Sequence, residues 1–120
     1  IEYSSMRVWD NYCWWLEIDQ MPAASVVAPA AWPPPAGARP CETIADVRPD
    51  TSTLSIRSGA KKMTIYLCPE LIDLEKPFTV TFNGKSKRIV PNPNPTVEPL
   101  LEDVRTRGDR QHPFWMRVGL

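Results

Sequence analysis

The sequence predicts an all-β domain: a small antiparallel β-sandwich, Ig-like or a partly open barrel, with one short helix on its C-terminal side. Three observations lead to this class. Proline occupies 14 of the 120 residues, and long helices do not tolerate that density because each interior proline removes a hydrogen bond. Short runs alternate apolar and polar residues, which is typical of half-buried strands. Turn sequences separate these runs, and the length fits one domain over residues 1–120.

The first two predicted strands cover residues 1–8 and 11–19. In the second of these, NYCWWLEID, residues at alternate positions share a face. Trp14 and Trp15 are therefore predicted to point to opposite faces of one strand. One of them would pack inward, and the other would meet another element, a partner domain or water.

A proline-rich loop is predicted at residues 20–40, which read QMPAASVVAPAAWPPPAGARP. Alanine and proline with little charge are poor material for a packed element, and the run Pro33-Pro34-Pro35 favours an extended polyproline II segment. Three interpretations stay open: a long surface loop, a flexible insertion, or a recognition segment for an aromatic-lined groove.

Regular strands follow Cys41, and they are predicted at residues 43–47, 53–57, 62–67, 78–82 and 85–90. Asn83-Gly84 joins the last two and is a strong hairpin signal, because both residues tolerate the positive φ of a type I′ turn. We therefore expect Leu71 to Gly84 to form a bend and a tight hairpin that fix the register of the sheet.

One helix and a last strand complete the predicted fold. Thr96 is a good N-cap, Pro99 lies in the first turn and Gly108 ends the helix. The helix carries one apolar stripe, formed by Val97, Leu100, Leu101 and Val104. Residues 112–120 alternate again, and this alternation places Phe114, Met116 and Val118 on one face.

Three cysteines are present, so at least one thiol has no partner within the chain. Their spacing matches no zinc pattern. In one interpretation, buried cysteines behave as small apolar residues. In the other, Cys13 and Cys68 form a disulfide, which would indicate an oxidising compartment.

The sequence shows no arrangement of residues for catalysis. A nucleophile needs a base that a carboxylate orients, and the single histidine, His112, lies beside a proline with no such context. The pairs Glu17 with Asp19 and Asp73 with Glu75 have the chemistry of glycosidase carboxylates, but each is more simply a strand end or a turn. We therefore expect no catalytic residue, no cofactor and no metal site.

The charge and hydropathy of the chain also limit its partners. The formal net charge is zero, whereas nucleic-acid binding and a polybasic membrane anchor both require a basic patch. The longest apolar stretch, residues 21–32, is interrupted by Pro22 and Pro29 and is too short to cross a bilayer. We therefore expect no nucleic-acid partner and no membrane span.

Five tryptophans are many for so small a domain. Tryptophan is enriched at protein interfaces and stacks on sugar rings, so the tryptophans are interpreted as core residues, as an interface with a domain or subunit, or as a sugar platform. The candidate interface residues are Trp9, Trp14, Trp15, Trp32 and Trp115.

Three motifs carry a resemblance to a known family. They are the strand WLEID at residues 15–19, the hairpin LIDLEKPFTVTFNGK at residues 71–85, and the helix LLEDVRTRGDR at residues 100–110. Together they resemble the β-rich C-terminal accessory domain of bacterial, planctomycete-type secreted α/β-hydrolases, which are esterases or prolyl-oligopeptidase-like proteins. The resemblance covers nearly the whole chain except the proline-rich loop.

The resemblance implies a non-catalytic accessory domain that packs on a catalytic hydrolase domain outside the cell or in the periplasm. In that family the catalytic Ser, Asp and His would precede Ile1, so no catalytic role transfers to this chain. Two alternatives remain: a self-associating structural or filament subunit in which the N-terminal strand pairs with a neighbouring copy, and a carbohydrate-binding module.

Overall fold

The structure is a computed structural model that describes residues 1–91, 101, 105 and 114–120. Within these residues the chain forms two packed β-sheets, which confirms the predicted all-β sandwich. The strands are β1 (Glu2–Ser5), β2 (Tyr12–Cys13), β3 (Leu16–Gln20), β4 (Cys41–Arg48), β5 (Thr53–Ser58), β6 (Lys62–Leu67), β7 (Phe78–Phe82), β8 (Lys85–Ile89) and β9 (Met116–Gly119).

The first sheet has five strands in the order β1-β4-β5-β7-β8. Its pairs are antiparallel except for β5 and β7, which run parallel with Thr53 opposite Thr79 and Ile56 opposite Phe82. Parallel neighbours need a long connection. Here β6 supplies it, because the chain leaves the first sheet after Ser58, forms β6 in the second sheet and returns at Phe78.

The second sheet has four antiparallel strands in the order β2-β3-β6-β9. Alternate residues of both sheets face each other and form the core. The largest fully buried side chains include Trp15, Phe78, Leu54, Ile56 and Ile65. Burial of a large apolar side chain contributes about 1.5–3 kcal/mol, so this inner layer stabilises the sandwich.

The segment predicted as one strand over residues 11–19 is instead a hairpin, so that prediction was wrong. β2 pairs with β3 through Cys13 opposite Leu16, and Trp14 and Trp15 are the two turn residues between them. Trp14 has a φ of 51°, a value that suits two-residue hairpin turns. One tryptophan still packs inward and the other does not, as expected, since Trp15 is 1% exposed and Trp14 is 62% exposed.

The side chain of Asn83 links the end of β7 to the end of β5 in the first sheet. Asn83 and Gly84 have φ values of 48° and 82°, which confirms the tight hairpin between β7 and β8. In addition, the Asn83 side chain accepts a hydrogen bond from the Ser58 N–H and donates one to the Ser58 carbonyl, each at 2.9 Å. The side-chain amide of Asn83 thus pairs with the Ser58 backbone as a neighbouring strand residue would, and it extends the pairing at the end of the parallel strands.

Among the described residues, β8 is an outer strand of the first sheet, and its charged side chains oppose pairing with another chain. Lys85 and Lys87 lie opposite Phe82 and Val80, and directly opposed residues share a face, so both lysines are on the inner face of the sheet. Both are nevertheless exposed. Inward-facing lysines on an edge strand oppose pairing with another chain.

The predicted helix that starts at Thr96 and ends at Gly108 falls almost wholly outside the described residues, as does His112. The alternation expected for the last strand is confirmed over residues 114–120. Phe114 is buried, Met116 and Val118 are half-buried, and Trp115 and Arg117 are exposed.

The proposed disulfide between Cys13 and Cys68 does not form, since both residues and Cys41 are free thiols. Cys13 is in β2, and Cys68 directly follows β6. These strands are separated by β3, so they are about 9.6 Å apart. A disulfide requires Cα atoms within about 7 Å. Burial raises the pKa of the Cys13 and Cys41 thiols, which lowers their reactivity.

We predict that Asn83→Gly lowers the free energy of unfolding by about 1–2 kcal/mol, the loss expected for two hydrogen bonds. Glycine tolerates the positive φ, so the variant removes the side-chain bonds to Ser58 without strain in the folded backbone. Urea unfolding followed by tryptophan fluorescence measures the change. Asn83→Asp, which retains only the acceptor, should fall between wild type and Asn83→Gly; wild-type stability of the glycine variant would contradict this role.

Candidate functional site

An aromatic cluster lies where β6 ends and β9 begins. The Trp15 carbonyl accepts a hydrogen bond from the Tyr66 N–H at 2.8 Å, and the Trp115 N–H donates to the Leu67 carbonyl at 2.7 Å. Residues 14 and 115 therefore lie on either side of the same strand end. We call this group the aromatic corner; it consists of Tyr12, Trp14, Tyr66, Phe114 and Trp115.

The inner members of the aromatic corner, Tyr66 and Phe114, pack on each other, and Tyr66 also packs on the exposed ring of Tyr12. Tyr66 stacks on Tyr12 with ring centroids 6.2 Å apart, and it packs at a tilt on Phe114 at 5.9 Å. Tyr66 and Phe114 are buried, whereas Tyr12, Trp14 and Trp115 are 38%, 62% and 51% exposed. The exposed Tyr12 ring, held on this packed base, loses little conformational entropy on binding, which favours a role in recognition.

The backbone at Trp14 is unusual for its side chain. Asn or Gly is the common choice for a two-residue hairpin turn with positive φ, and a bulky residue at such a φ costs on the order of 1–3 kcal/mol. Trp14 is mostly exposed, so core packing does not compensate for this strain. Strained residues of this kind cluster at functional sites.

Hydrogen bonds fix the carboxylates beside the aromatic corner. The Tyr66 hydroxyl donates to Glu17 at 2.5 Å, and the Thr64 hydroxyl donates to Asp19 at 2.8 Å. Burial, and then the hydrogen bond to Glu17, raise the pKa of Tyr66. The two carboxylates thus join β3 to β6, which gives each a structural role.

The second carboxylate pair shapes the bend before β7. Asp73 accepts the Glu75 N–H at 2.9 Å and forms an ion pair with Lys76 at 2.9 Å. The contact with Lys76 is the main reason that the pKa of Asp73 is lowered. Asp73 therefore has a structural role in a turn, as expected from the sequence for this pair.

The proline-rich loop is a surface loop that packs on the segment after β1. It contains 3-10 turns at Ala23–Ser25 and Pro29–Ala31. Ser25 and Val27 are buried, and the Val27 N–H donates to the Met6 carbonyl at 2.9 Å. The guanidinium of Arg7 lies 5.7 Å from the ring centroid of Trp32, a cation–π contact that holds the loop to this segment.

The structure separates the candidate tryptophans into three groups. Trp14 and Trp115 lie on either side of the β6 end at the aromatic corner, and Trp9 and Trp32 belong to the segment after β1 and the proline-rich loop. Trp15 is a core residue at 1% exposure, so its assignment to an interface is corrected. Sequence reasoning missed Tyr12 and Tyr66 as partners, because only the fold brings their strands to either side of β3.

Among the described residues, no group of three or more His, Cys, Asp or Glu side chains could hold a metal ion. In the same part of the chain, no helix has the length and apolar character needed to cross a bilayer. Comparison with protein families, curated proteins and solved structures gave no match to this chain.

We predict that Trp15→Ala and Trp115→Ala differ strongly in stability. Removal of the buried Trp15 ring should lower the free energy of unfolding by about 3–5 kcal/mol. Trp115→Ala should change it by no more than about 0.5 kcal/mol, because that ring is at the surface. Urea unfolding measures both, and equal losses would contradict the assignment of inner and outer rings.

Alkaline pH should destabilise the fold through the half-buried Tyr3 and the buried Tyr66. Burial raises the pKa of Tyr3 from 10.0 to about 12, and the pKa of Tyr66 is also raised. An acid with a higher pKa in the folded state holds its proton more tightly when folded. Its contribution is therefore complete below pH 10 and is lost as the pH rises through about 10 to 12.

Urea midpoints measured at increasing pH test this expectation. The midpoint of wild type should fall above pH 10.0, the ordinary value for tyrosine. The double variant Tyr3→Phe/Tyr66→Phe should show a smaller decline, because it lacks both phenols. An identical decline in the two proteins would assign the alkaline loss to other groups.

Proposed function

We propose that residues 1–120 form a non-catalytic accessory domain that packs on a hydrolase-type domain of a secreted protein, outside the cell or in the periplasm. The observation that carries the proposal is the aromatic corner, where Trp14 and Trp115 are more than half exposed. Such residues dominate binding energy at interfaces. The family resemblance of the hairpin at residues 71–85 supports a hydrolase as the partner.

The position of Ile1 supports contact at this corner. Burial raises the pKa of the Cys13 thiol, and the amino group of Ile1 acts on it in the opposite direction. The start of β1 therefore lies near Cys13, the residue next to Trp14. A domain joined before Ile1 would emerge beside the aromatic corner, so a short tether would give a high effective concentration for docking there.

The alternative of strand exchange through the N-terminus has less support. β1 pairs with β4 of its own chain over residues 2–5, and the Ile1 N–H donates to the Ala45 carbonyl at 2.7 Å. Exchange with a neighbouring copy would first break these bonds. A carbohydrate-binding module has no specific observation in its favour beyond the exposed rings.

The proposal predicts that the sequence encoded before Ile1 contains a hydrolase domain with a G-x-S-x-G elbow. Purified residues 1–120 should bind that domain when the two are mixed as separate proteins, and calorimetry measures the affinity. Trp14→Asn should weaken binding by roughly tenfold or more, the loss of a hot-spot residue. Asparagine tolerates the positive φ, so the fold should keep its stability.

The matched control is Trp32→Asn, which removes an equally exposed ring far from the corner and should bind as wild type. A signal peptide directly before Ile1 would contradict the proposal. So would equal binding by Trp14→Asn and wild type. Turnover of p-nitrophenyl acetate by residues 1–120 alone, above the rate of a heat-inactivated sample, would overturn the non-catalytic assignment.

A further inference from the structure

The opposite end of the sandwich presents a second set of exposed apolar side chains. β1 ends at Ser5, paired with Cys41, and the Gly59 N–H donates to the Glu42 carbonyl. The segments that extend past this edge are residues 6–11, 21–40, 59–61 and 83–84, which we call the loop end. Its exposed apolar side chains are Val8 (58%), Trp9 (62%), Val26 (42%) and Trp32 (61%).

Contacts between two loops hold this apolar tip together. Arg7 lies over the ring of Trp32, and Val27 donates to Met6, so residues 21–40 are fixed to the segment that carries Val8 and Trp9. The loop also encloses an open depression of about 360 Å³ lined by Ala, Val, Pro and Gly alone, including Ala23, Val26, Ala28, Ala31 and Pro35.

Basic residues outnumber acidic ones at this end. Among the loop residues and the last two residues of each strand here, the basic ones are Arg7, Arg39, Arg57, Lys61, Lys62 and Lys85. The acidic ones are Asp10, Asp19 and Glu42. The loop end is therefore basic among the described residues, and Arg7 is in direct contact with the apolar tip through Trp32.

The other end has a slight excess of acidic residues when the described residues are counted in the same way. Its acidic residues are Glu2, Glu17, Asp50, Glu70, Asp73 and Glu75, and its basic ones are Arg48, Lys76, Arg88, Arg105 and Arg117. Among the described residues, the excess of basic charge therefore lies at the loop end, although the formal net charge of the chain is zero.

We propose that the loop end docks on the surface of an anionic lipid membrane. Tryptophan is favoured at the boundary between headgroups and acyl chains, where one side of the ring is apolar and the other is hydrated. Trp9, Trp32 and Val8 enter this boundary, and the Lys and Arg side chains of the loop end contact lipid phosphates. Binding of this kind is peripheral and needs no membrane-spanning helix.

The apolar tip distinguishes a lipid surface from other acidic partners. A soluble polyanion would bind the cations alone, so Val8 and Trp9 would contribute little to its affinity. In a bilayer both sets of residues contribute, because insertion removes apolar surface from water while the cations neutralise headgroup charge. The proposal commits to the lipid surface on this ground.

Sedimentation with vesicles tests the proposal. Residues 1–120 should bind vesicles that mix phosphatidylcholine with phosphatidylglycerol and should not bind phosphatidylcholine alone. Trp9→Ser should weaken binding by roughly tenfold through the loss of buried apolar area. Lys61→Glu/Lys62→Glu should weaken it by well over roughly tenfold, because each basic residue contributes about fivefold before reversal.

Matched controls use the other end of the sandwich. Trp115→Ser removes an exposed ring there, and Arg48→Glu/Arg88→Glu makes the same change in net charge as the lysine reversal. Both should bind vesicles as wild type, and thermal unfolding confirms that every variant is folded.

Three results would overturn the proposal. One is no binding of wild type to the anionic vesicles at low salt. Another is an equal loss in the two charge-reversed variants, which would show that only net charge matters. The third is that Trp9→Ser binds vesicles as tightly as wild type does, and that the protein binds heparin as tightly as it binds vesicles. This result would identify a general polyanion site.

Discussion

The parallel pairing of β5 with β7 is the constraint on which the rest of the structure depends. Parallel neighbours cannot be joined by a tight turn, so the chain between Ser58 and Phe78 must leave the first sheet. It does so by forming β6, which lies between β3 and β9 in the second sheet. In this chain the crossover that the parallel pair requires therefore supplies β6, one of the two interior strands of the second sheet. The amide of Asn83 secures the end of this pair by bonding both polar groups of the Ser58 backbone.

Local signals in the sequence predicted much of this fold. Alternation gave β6 and β7 with their observed bounds, and Asn83-Gly84 gave the hairpin, because both depend on residues close together in the chain. Non-local features were not predictable in the same way. Nothing near Trp14 signals a turn, since the hairpin there has a bulky residue at a position that usually holds Asn or Gly. The parallel pair and the separation of Cys13 from Cys68 depend on strand order, which alternation does not encode.

The candidate site was likewise predictable only where it depends on local sequence. Composition identified the tryptophans, but the core position of Trp15 and the exposed position of Trp14 followed from a turn that the pattern did not reveal. The excess of basic charge at the loop end depends on which strand ends meet, so a net charge of zero gave no sign of it. Exposed rings occur at both ends, and the two proposals assign them to different partners: a neighbouring domain at the aromatic corner and lipid at the loop end. A domain tethered before Ile1 would leave the loop end free to face outward.

The two lysines on the inner face of β8 have a consequence for the behaviour of the protein in concentrated solution. The five-stranded sheet is one strand wider than its four-stranded partner, and Lys85 and Lys87 stay hydrated on its inner side at that margin. Were both aliphatic, this margin would present apolar side chains on a strand that is outermost among the described residues, which is the arrangement on which chains stack into insoluble aggregates. The two ammonium groups thus oppose aggregation at this margin, and it is a place where an increase in hydrophobicity would do harm during storage or overproduction.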